Sequence, residues 1–585
     1  MLLSLAPLVV AAALPAADDF VLRWHDLRAF FASNASTLPG VDLSLHLSSA
    51  RIDALEPESY DVWTGPEARL KRDDAARLIQ AAIDATPGAE VRSVVSRDGL
   101  VRVTGNEAAQ AAAASAVAAL SAAGADAAVV EVHRVDRDAI PSGAGAVLDR
   151  SAVAALLESD GVALAARSTA RIGRDSRLGE PEIRSFVWDY DVEAALGALG
   201  VDPAVSVLRT GLEVGARVDR AADGQRFVVQ VWGRDGSIAD PIRTIDLEAL
   251  GGTPVELPEV ATSVWAMSGI VEPGGAILVN DGDDGALLLR ITGDAEAPAG
   301  LVPIGANAIP GMRPQIPWLP RTSPTGGLPI IDGANDALES FGFADVGAFE
   351  AVLSDAFIEV TVAGHAQRYG TSLVLTGPDE VTAPAREAAR ALAEALPEQA
   401  ASIELRYDLV PAAELAAAIA DPTAFAAAAE SSISASSIVG GAALLVGGVE
   451  TAYLQDFDVQ VAQGAQVPDP NIGIAFDGFA LWCAPLPGAN DARPVWFDFQ
   501  LHANDPETRT LELANYTPAP TDGAKDLPRA MGTFDRTLSV ELPTTSRAAA
   551  RTLLNVADGV WTNVTAQPMP GTDQALVVVA RVVTR

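Results

Sequence analysis

Residues 188–218 read WDYDVEAALGALGVDPAVSVLRTGLEVGARV and residues 455–485 read QDFDVQVAQGAQVPDPNIGIAFDGFALWCAP, and the two stretches align without a gap. The offset is constant: 456 − 189, 469 − 202 and 478 − 211 all equal 267. Asp189/Asp456, Asp191/Asp458, Val192/Val459, Asp202/Asp469, Pro203/Pro470 and Gly211/Gly478 are identical across the pair. An alanine-rich composition does not easily produce D-x-D-V, D-P and a glycine at one spacing, so the chain reads as an internal duplication.

Within the first stretch Phe186, Trp188, Tyr190 and Val192 alternate with Val187, Asp189, Asp191 and Glu193, the period-two pattern of a half-buried strand. Tyr453, Phe457, Val459 and Val461 take the same face in the second. After a D-P break, Leu212, Val214, Ala216 and Val218 alternate with polar residues, and Ala222-Asp223-Gly224 turns the chain into Phe227, Val229 and Val231. Phe479, Leu481 and Cys483, a turn at 488–491, and Val495, Phe497, Phe499 and Leu501 repeat the order. Each copy is expected to be an antiparallel meander.

Upstream of each meander lies a smaller α/β pattern. In the first half it comprises an amphipathic helix at 73–85, a hairpin at 91–103 turning on Arg97-Asp98-Gly99, and an alanine-rich helix capped by Asn106. A strand at 129–135 is expected to close that module. In the second half Val346, Phe349, Val352 and Leu353 mark a helix, 357–362 and 372–375 strands, 380–396 a helix and 403–409 the closing strand. Val130-Glu131-Val132 matches Ile403-Glu404-Leu405.

The resulting organisation is a signal peptide at 1–17, an N-terminal strand region at 18–62, and an α/β module at 63–138 followed by a β-domain at 139–297. A proline-rich linker at 298–335, a second module at 336–411 and a second β-domain at 412–585 follow. The fold class is α+β, with two tandem copies of module plus antiparallel β-domain. Residues 2–14 form an apolar run of signal length, followed by Ala16 and Ala17, which implies export. No later run approaches the roughly 18 apolar residues of a spanning helix. Within 18–62, the alternation at 41–47 suggests a strand.

A net charge of −37, with Lys71 and Lys525 the only lysines, argues against nucleic acid and anionic lipid as partners. His25, His46, His133, His365 and His502 show no metal-ligand spacing, and Cys483 is alone. The run Asn280-Asp281-Gly282-Asp283-Asp284-Gly285 lacks the glutamate of a calcium loop and reads as a turn. Asp189/Asp191 and Asp456/Asp458 are the acidic pairs that acid/base chemistry would need, but solvated strand faces or a subunit seam account for them better. The expectation is a non-enzymatic protein with no catalytic, metal or cofactor residues.

The order helix, hairpin ending in V-x-V-T-G, helix and V-E-V strand resembles the ring-building modules of bacterial secretins. The helix at 151–157, the strand at 162–170, D-Y-D-V, G-L-E-V-G-A-R-V and a late strand at 276–279 resemble the secretin β-domain. That resemblance implies a homo-oligomeric ring of a type II or III secretion apparatus, in the periplasm or outer membrane, with other envelope components as partners. A secretin has one β-domain where this chain has two, and the family's closing P-x-L-G-x-x-P is absent after Val279, so membrane insertion stays open. The alternative is a soluble periplasmic or extracellular binding or scaffold protein, with carbohydrate or peptide held by Trp232, Trp482 and Trp496. A hydrolase using the four aspartates is a third class.

Overall fold

The structure, a computed structural model, describes residues 20–33, 47, 72–97, 99–141, 145–195, 198–247, 253–280, 285–294, 296–298, 300–305, 366–369, 371–395, 398–462, 465–486, 492–504, 509–513 and 538–585. The expected signal peptide, His46, His365, residues 281–284, the expected helix and strand within 346–362 and most of the expected linker lie outside these residues. Of the strand expected at 41–47 only Leu47 is described, and it is helical.

The first α/β unit contains strand β1 (Val21–Asp26), helices α1 (Arg28–Ser33), α2 (Arg72–Asp84) and α3 (Glu107–Ala125), and the hairpin β2 (Val91–Arg97) and β3 (Leu100–Gly105). Asn106 caps α3 as its sequence predicts, its Oδ1 accepting from the Ala109 N–H at 3.0 Å. Ala109, Ala113, Ala116, Leu120 and Ala123, spaced three and four apart, are buried in one core with Leu78, Ile79 and Val103. The alanines allow the close helix approach that makes α3 a core helix, although by length and composition it could cross a bilayer.

The rest of the first half contains β4 (Ala127–Val135), β5 (Val147–Leu148), α4 (Arg150–Leu157), β6 (Val162–Arg171), β7 (Arg174–Ala195), β8 (Ala198–Arg220) and β9 (Phe227–Ile238). The hairpin β10 (Arg243–Leu247) and β11 (Thr253–Leu257) precedes β12 (Glu259–Val271), β13 (Ala276–Asn280) and β14 (Ala286–Gly293). Then come β15 (Leu301–Pro303), β16 (Ala366–Tyr369), β17 (Ser372–Leu375) and α5 (Asp379–Ala395). The second half continues with β18 (Ala400–Pro411), α6 (Leu415–Ala420), α7 (Pro422–Ala428), β19 (Ser431–Ile438), β20 (Ala443–Ala462), β21 (Ala465–Pro485) and β22 (Ala492–Asn504). A hairpin β23 (Arg509–Leu513) and β24 (Leu538–Leu542), then β25 (Thr545–Ala557), β26 (Thr562–Pro568) and β27 (Gln574–Thr584), complete it.

Two large antiparallel sheets carry the fold. One has eight strands in the order β25-β22-β21-β20-β12-β9-β8-β7, and the other runs β26-β27-β18-β19-β13-β14-β4-β6 with β5 beside β13. They pack face to face over one core: Val214, Val231, Trp265, Leu445, Leu481 and Phe497 from the first meet Val132, Ile277, Leu289, Ile403 and Val578 from the second. Every alternating set read from the sequence at 212–218, 227–231, 479–483 and 495–501 lies in this core.

Strand pairing repeats at the sequence offset. Leu178 faces Val214 as Leu445 faces Leu481, 267 residues on in both strands. A β-bulge falls between Val187 and Asp189 in β7 and between Leu454 and Asp456 in β20, again 267 apart. At each bulge the freed N–H finds a glutamate from the following hairpin: Val187 N donates to Glu256 at 2.6 Å and Leu454 N to Glu541 at 3.0 Å. Glu131 receives Arg290 at 3.1 Å across β4–β14, and Glu404 receives Arg581 at 2.5 Å across β18–β27. Both glutamates are at least 90% buried, so each arginine compensates a carboxylate that could not be left alone.

The structure corrects four sequence expectations. Strands β4 and β18 do not close the small modules; they lie in the nine-stranded sheet. Asp202-Pro203 does not break a strand, because β8 runs through it and Pro203 faces Tyr190. Trp188 is the extra residue of the bulge, so the even alternation of 186–192 slips there. Leu301–Pro303, inside the expected linker, pairs with β17 as an edge strand.

Candidate interaction surface

The two four-strand groups join where β12 pairs β20, from Glu259 opposite Thr451 to Ala266 opposite Leu444. Trp265, fully buried, and Leu445 point into the sandwich core. On the other face Val264, Ala266, Leu444 and Val446 pack with Trp232, Phe476, Ala480 and Trp482. Over residues 264–266 and 444–446 this internal seam is therefore apolar on both sides, while Thr262, Ser263 and Glu450 lie buried further along it. In the second sheet the groups meet at Asn280 opposite Ser434.

Among the described residues each sheet ends in two open edges, β7 and β25 in one and β6 and β26 in the other. β6 lies against β7 and β25 against β26, so each end of the sandwich presents a pair of edges. Unpaired edges are templates for another strand. Their side chains are only partly polar: Leu164 on β6 is 57% exposed, Ile183 on β7 66% and Leu553 on β25 40%.

A cavity of about 670 Å³ opens between β6 and the β7–β8 hairpin, lined by Leu164, Arg167, Leu178, Gly179, Arg209 and Glu213 among others. Buried Glu213 accepts from Arg234 Nε at 3.0 Å, from Arg209 at 2.5 Å and from Arg177. At the opposite end Arg551 Nε and Nη2 donate to Asp498 Oδ2 at 2.9 and 2.7 Å, and Arg547 donates to Gln500. The positions equivalent to Arg177, Arg209 and Glu213 are Leu444, Phe476 and Ala480. Charge thus occupies these three edge positions where their counterparts near the internal seam are apolar, whereas exposed Ile183 corresponds to buried Glu450.

The residues weighed for chemistry do not converge. Asp189 and Asp456 each accept from the N–H of the next residue, at 2.7 and 2.8 Å, and so hold the two bulges; the side chains of Asp191 and Asp458 lie outside the described ones. His25 meets Gln110 at 3.3 Å, and His133 is 3.7 Å from Glu131. Burial lowers the His133 pKa against the opposing pull of Glu131. His502 is buried against Phe476, and burial with Arg547 nearby lowers its pKa to about 4. Burial pushes the Cys483 thiol up to about 12. No metal-holding cluster of His, Cys, Asp and Glu occurs among the described residues. Trp232 and Trp482 belong to a buried cluster with Trp496 packed on it, not to an exposed groove. The bulge-holding Glu256 and Glu541 and the arginines Arg290 and Arg581 escaped the sequence reading. Matching partners at Glu131 and Glu404 would have been their signal.

No family model matches the chain, and no curated protein matches it. Among solved structures it is similar to the InvG secretin-domain β-barrel of the Salmonella SPI-1 injectisome, at 12% identity over 38% of this chain and 74% of that one, with a TM-score of 0.16. It is also similar to Aeromonas hydrophila ExeD, at 10% identity over 97% and 91% with a TM-score of 0.15. A third is the type II secretion system secretin GspD of E. coli K12, at 8% identity over 97% and 90% with a TM-score of 0.16. Scores this low leave the strand pairings to carry the functional reading.

Proposed function

We propose that the protein is an exported, non-enzymatic, secretin-like envelope protein, a tandem duplicate whose β-walls associate side by side into a ring in the periplasm or at the outer membrane. The observation that carries this reading is the internal seam. It joins the last strand of one four-strand group to the first strand of the next, and leaves free the same two kinds of edge at the ends. A head-to-tail contact of that kind repeats until it closes. The resemblance of the sequence to secretins gives the ring its place in a secretion apparatus, with other envelope components as partners. Exposed Glu182, Arg547 and Arg551 on the edge strands suit a wall standing in water better than one facing lipid.

Expression in a Gram-negative host, fractionation, and negative-stain microscopy of the envelope fraction test the proposal. Closed rings are expected. A monomer confined to the soluble periplasmic fraction would remove the ring. The burial of Trp232 and Trp482 speaks against the carbohydrate- or peptide-binding alternative.

A further inference from the structure

The internal seam fixes the register of the external one. Strand β20 follows β7 by 267 residues, as the shared bulge shows. Strand β25 follows β12 by 285: Val231 faces Met267 where its counterpart Phe497 faces Thr552, and 541 − 256 for the two bulge-holding glutamates gives the same value. Carrying Glu259–Ala266 opposite Thr451–Leu444 across by these offsets puts residues 544–551 opposite residues 184–177.

We propose that β25 of one copy pairs antiparallel with β7 of a second copy, with Thr545 opposite Ile183, Ala549 opposite Gly179 and Ala550 opposite Leu178. Each chain then supplies two of the wall's repeating units, one seam within a chain and the next between chains. The inference rests on the ring reading and sharpens it.

Three structural observations agree with this register. Ala550 and Leu178 inherit the inward places of Trp265 and Leu445, and Leu178 already lies in the sandwich core. Exposed Ile183 meets Thr545, a β-branched pair suited to adjacent strands. The gap between β6 and β7 that holds the 670 Å³ cavity corresponds to the gap between β19 and β20. In the internal seam that gap is flanked by β12 and β13, both of which touch β19. The corresponding strands of the next copy, β25 and β26, would cover the cavity. The facing side chains differ in kind: Arg177 with Glu213 meets Arg551 with Asp498, each guanidinium already neutralised within its own chain. Salt-sensitive, separable contact between chains follows, beside a permanent apolar contact within each chain.

Cross-linking tests the register. A chain carrying Ile183→Cys is mixed with one carrying Thr545→Cys and oxidised; directly opposed residues have Cβ atoms about 4.5–5.5 Å apart, within reach of a disulfide after small adjustment. Cys483 is fully buried and stays out of the reaction. Both replaced side chains are exposed, so each variant should fold, which its melting temperature checks. The expected result is a two-chain species on a non-reducing gel, formed at least tenfold more than with Ile183→Cys plus Ala549→Cys. A chain carrying both Ile183→Cys and Thr545→Cys should give a ladder. Rings that cross-link better through Ala549 overturn the register and leave the ring standing; monomeric chains with no cross-link at either position overturn both.

Discussion

The seam inside the chain and the edges at its ends are built on equivalent strands, yet they carry different chemistry. Trp265, Val264 and Ala266 against Leu444, Leu445 and Val446 make the apolar stretch of the internal contact, which continues past buried Glu450. The matching edges present Arg177, Arg209 and Glu213 at one end and Asp498, Arg547 and Arg551 at the other. A permanent contact can be apolar because it is never exposed once the chain has folded. An edge that waits for a partner has to remain soluble, and charged edges resist indiscriminate pairing. Under the proposed pairing between copies, one backbone arrangement would serve two lifetimes.

The comparison can be broken most forcefully at Trp265. Truncation to Ala should cost about 3–5 kcal/mol in urea unfolding, the range for a fully buried aromatic. Its counterpart Ala550→Gly should cost about 1 kcal/mol or less, the usual penalty for glycine in a strand position. Equal losses would mean that the internal seam is no better packed than the edge. Glycine positions come next: Gly478 has φ 151° and a Cβ there would lie 2.2 Å from the Gly447 carbonyl oxygen, whereas Gly211 has φ 82°. Replacement of either by Val should destabilise its own half by about 2–3 kcal/mol or more, Gly478 the more severely. Unchanged melting of both variants would contradict that account.

A smaller effect separates the twin ion pairs. Glu131→Gln and Glu404→Gln each leave a part-buried arginine without its carboxylate and should each cost about 1–3 kcal/mol, similar in size if the two sheet regions are equivalent. A loss at one site alone would show that the pairs are not equivalent in use. The smallest effect concerns pH. His502 keeps a pKa of about 4 in the folded chain against an ordinary value of 6.5, so the folded state favours the neutral ring. Its contribution is fully present above pH 6.5 and is lost as pH falls toward 4. His502→Gln should flatten the dependence of melting temperature on pH across that window; an unchanged slope would remove the histidine as its source.

Strand positions were legible because alternation is local. Leu212, Val214, Ala216 and Val218 betray a buried face without reference to any partner, and Asn106 announces the helix that starts at the next residue by capping the amide three residues on. Pairing is not local: nothing in Val130-Glu131-Val132 says that its neighbours are β14 and β6 and not β3. The D-P pair misled because proline usually ends a strand, whereas Pro203 sits far out on a 23-residue strand. The open edges were invisible for the same reason, since an edge is defined by a missing neighbour. The constant offset of 267 and the match of 130–132 with 403–405 were the long-range signals in the sequence; the first, with the 285 offset of the following strands, carries the proposed register between copies.

The most direct test is the mass of the purified full chain by light scattering, beside that of Ile183→Asp, in which a charge without a partner enters the edge opposite Thr545. A multi-chain assembly is expected for the unaltered protein and a species near 60.3 kDa for the variant, with the same melting temperature in dilute solution. An unaltered protein that stays near the mass of one chain at every concentration, in buffer and in detergent, would contradict it.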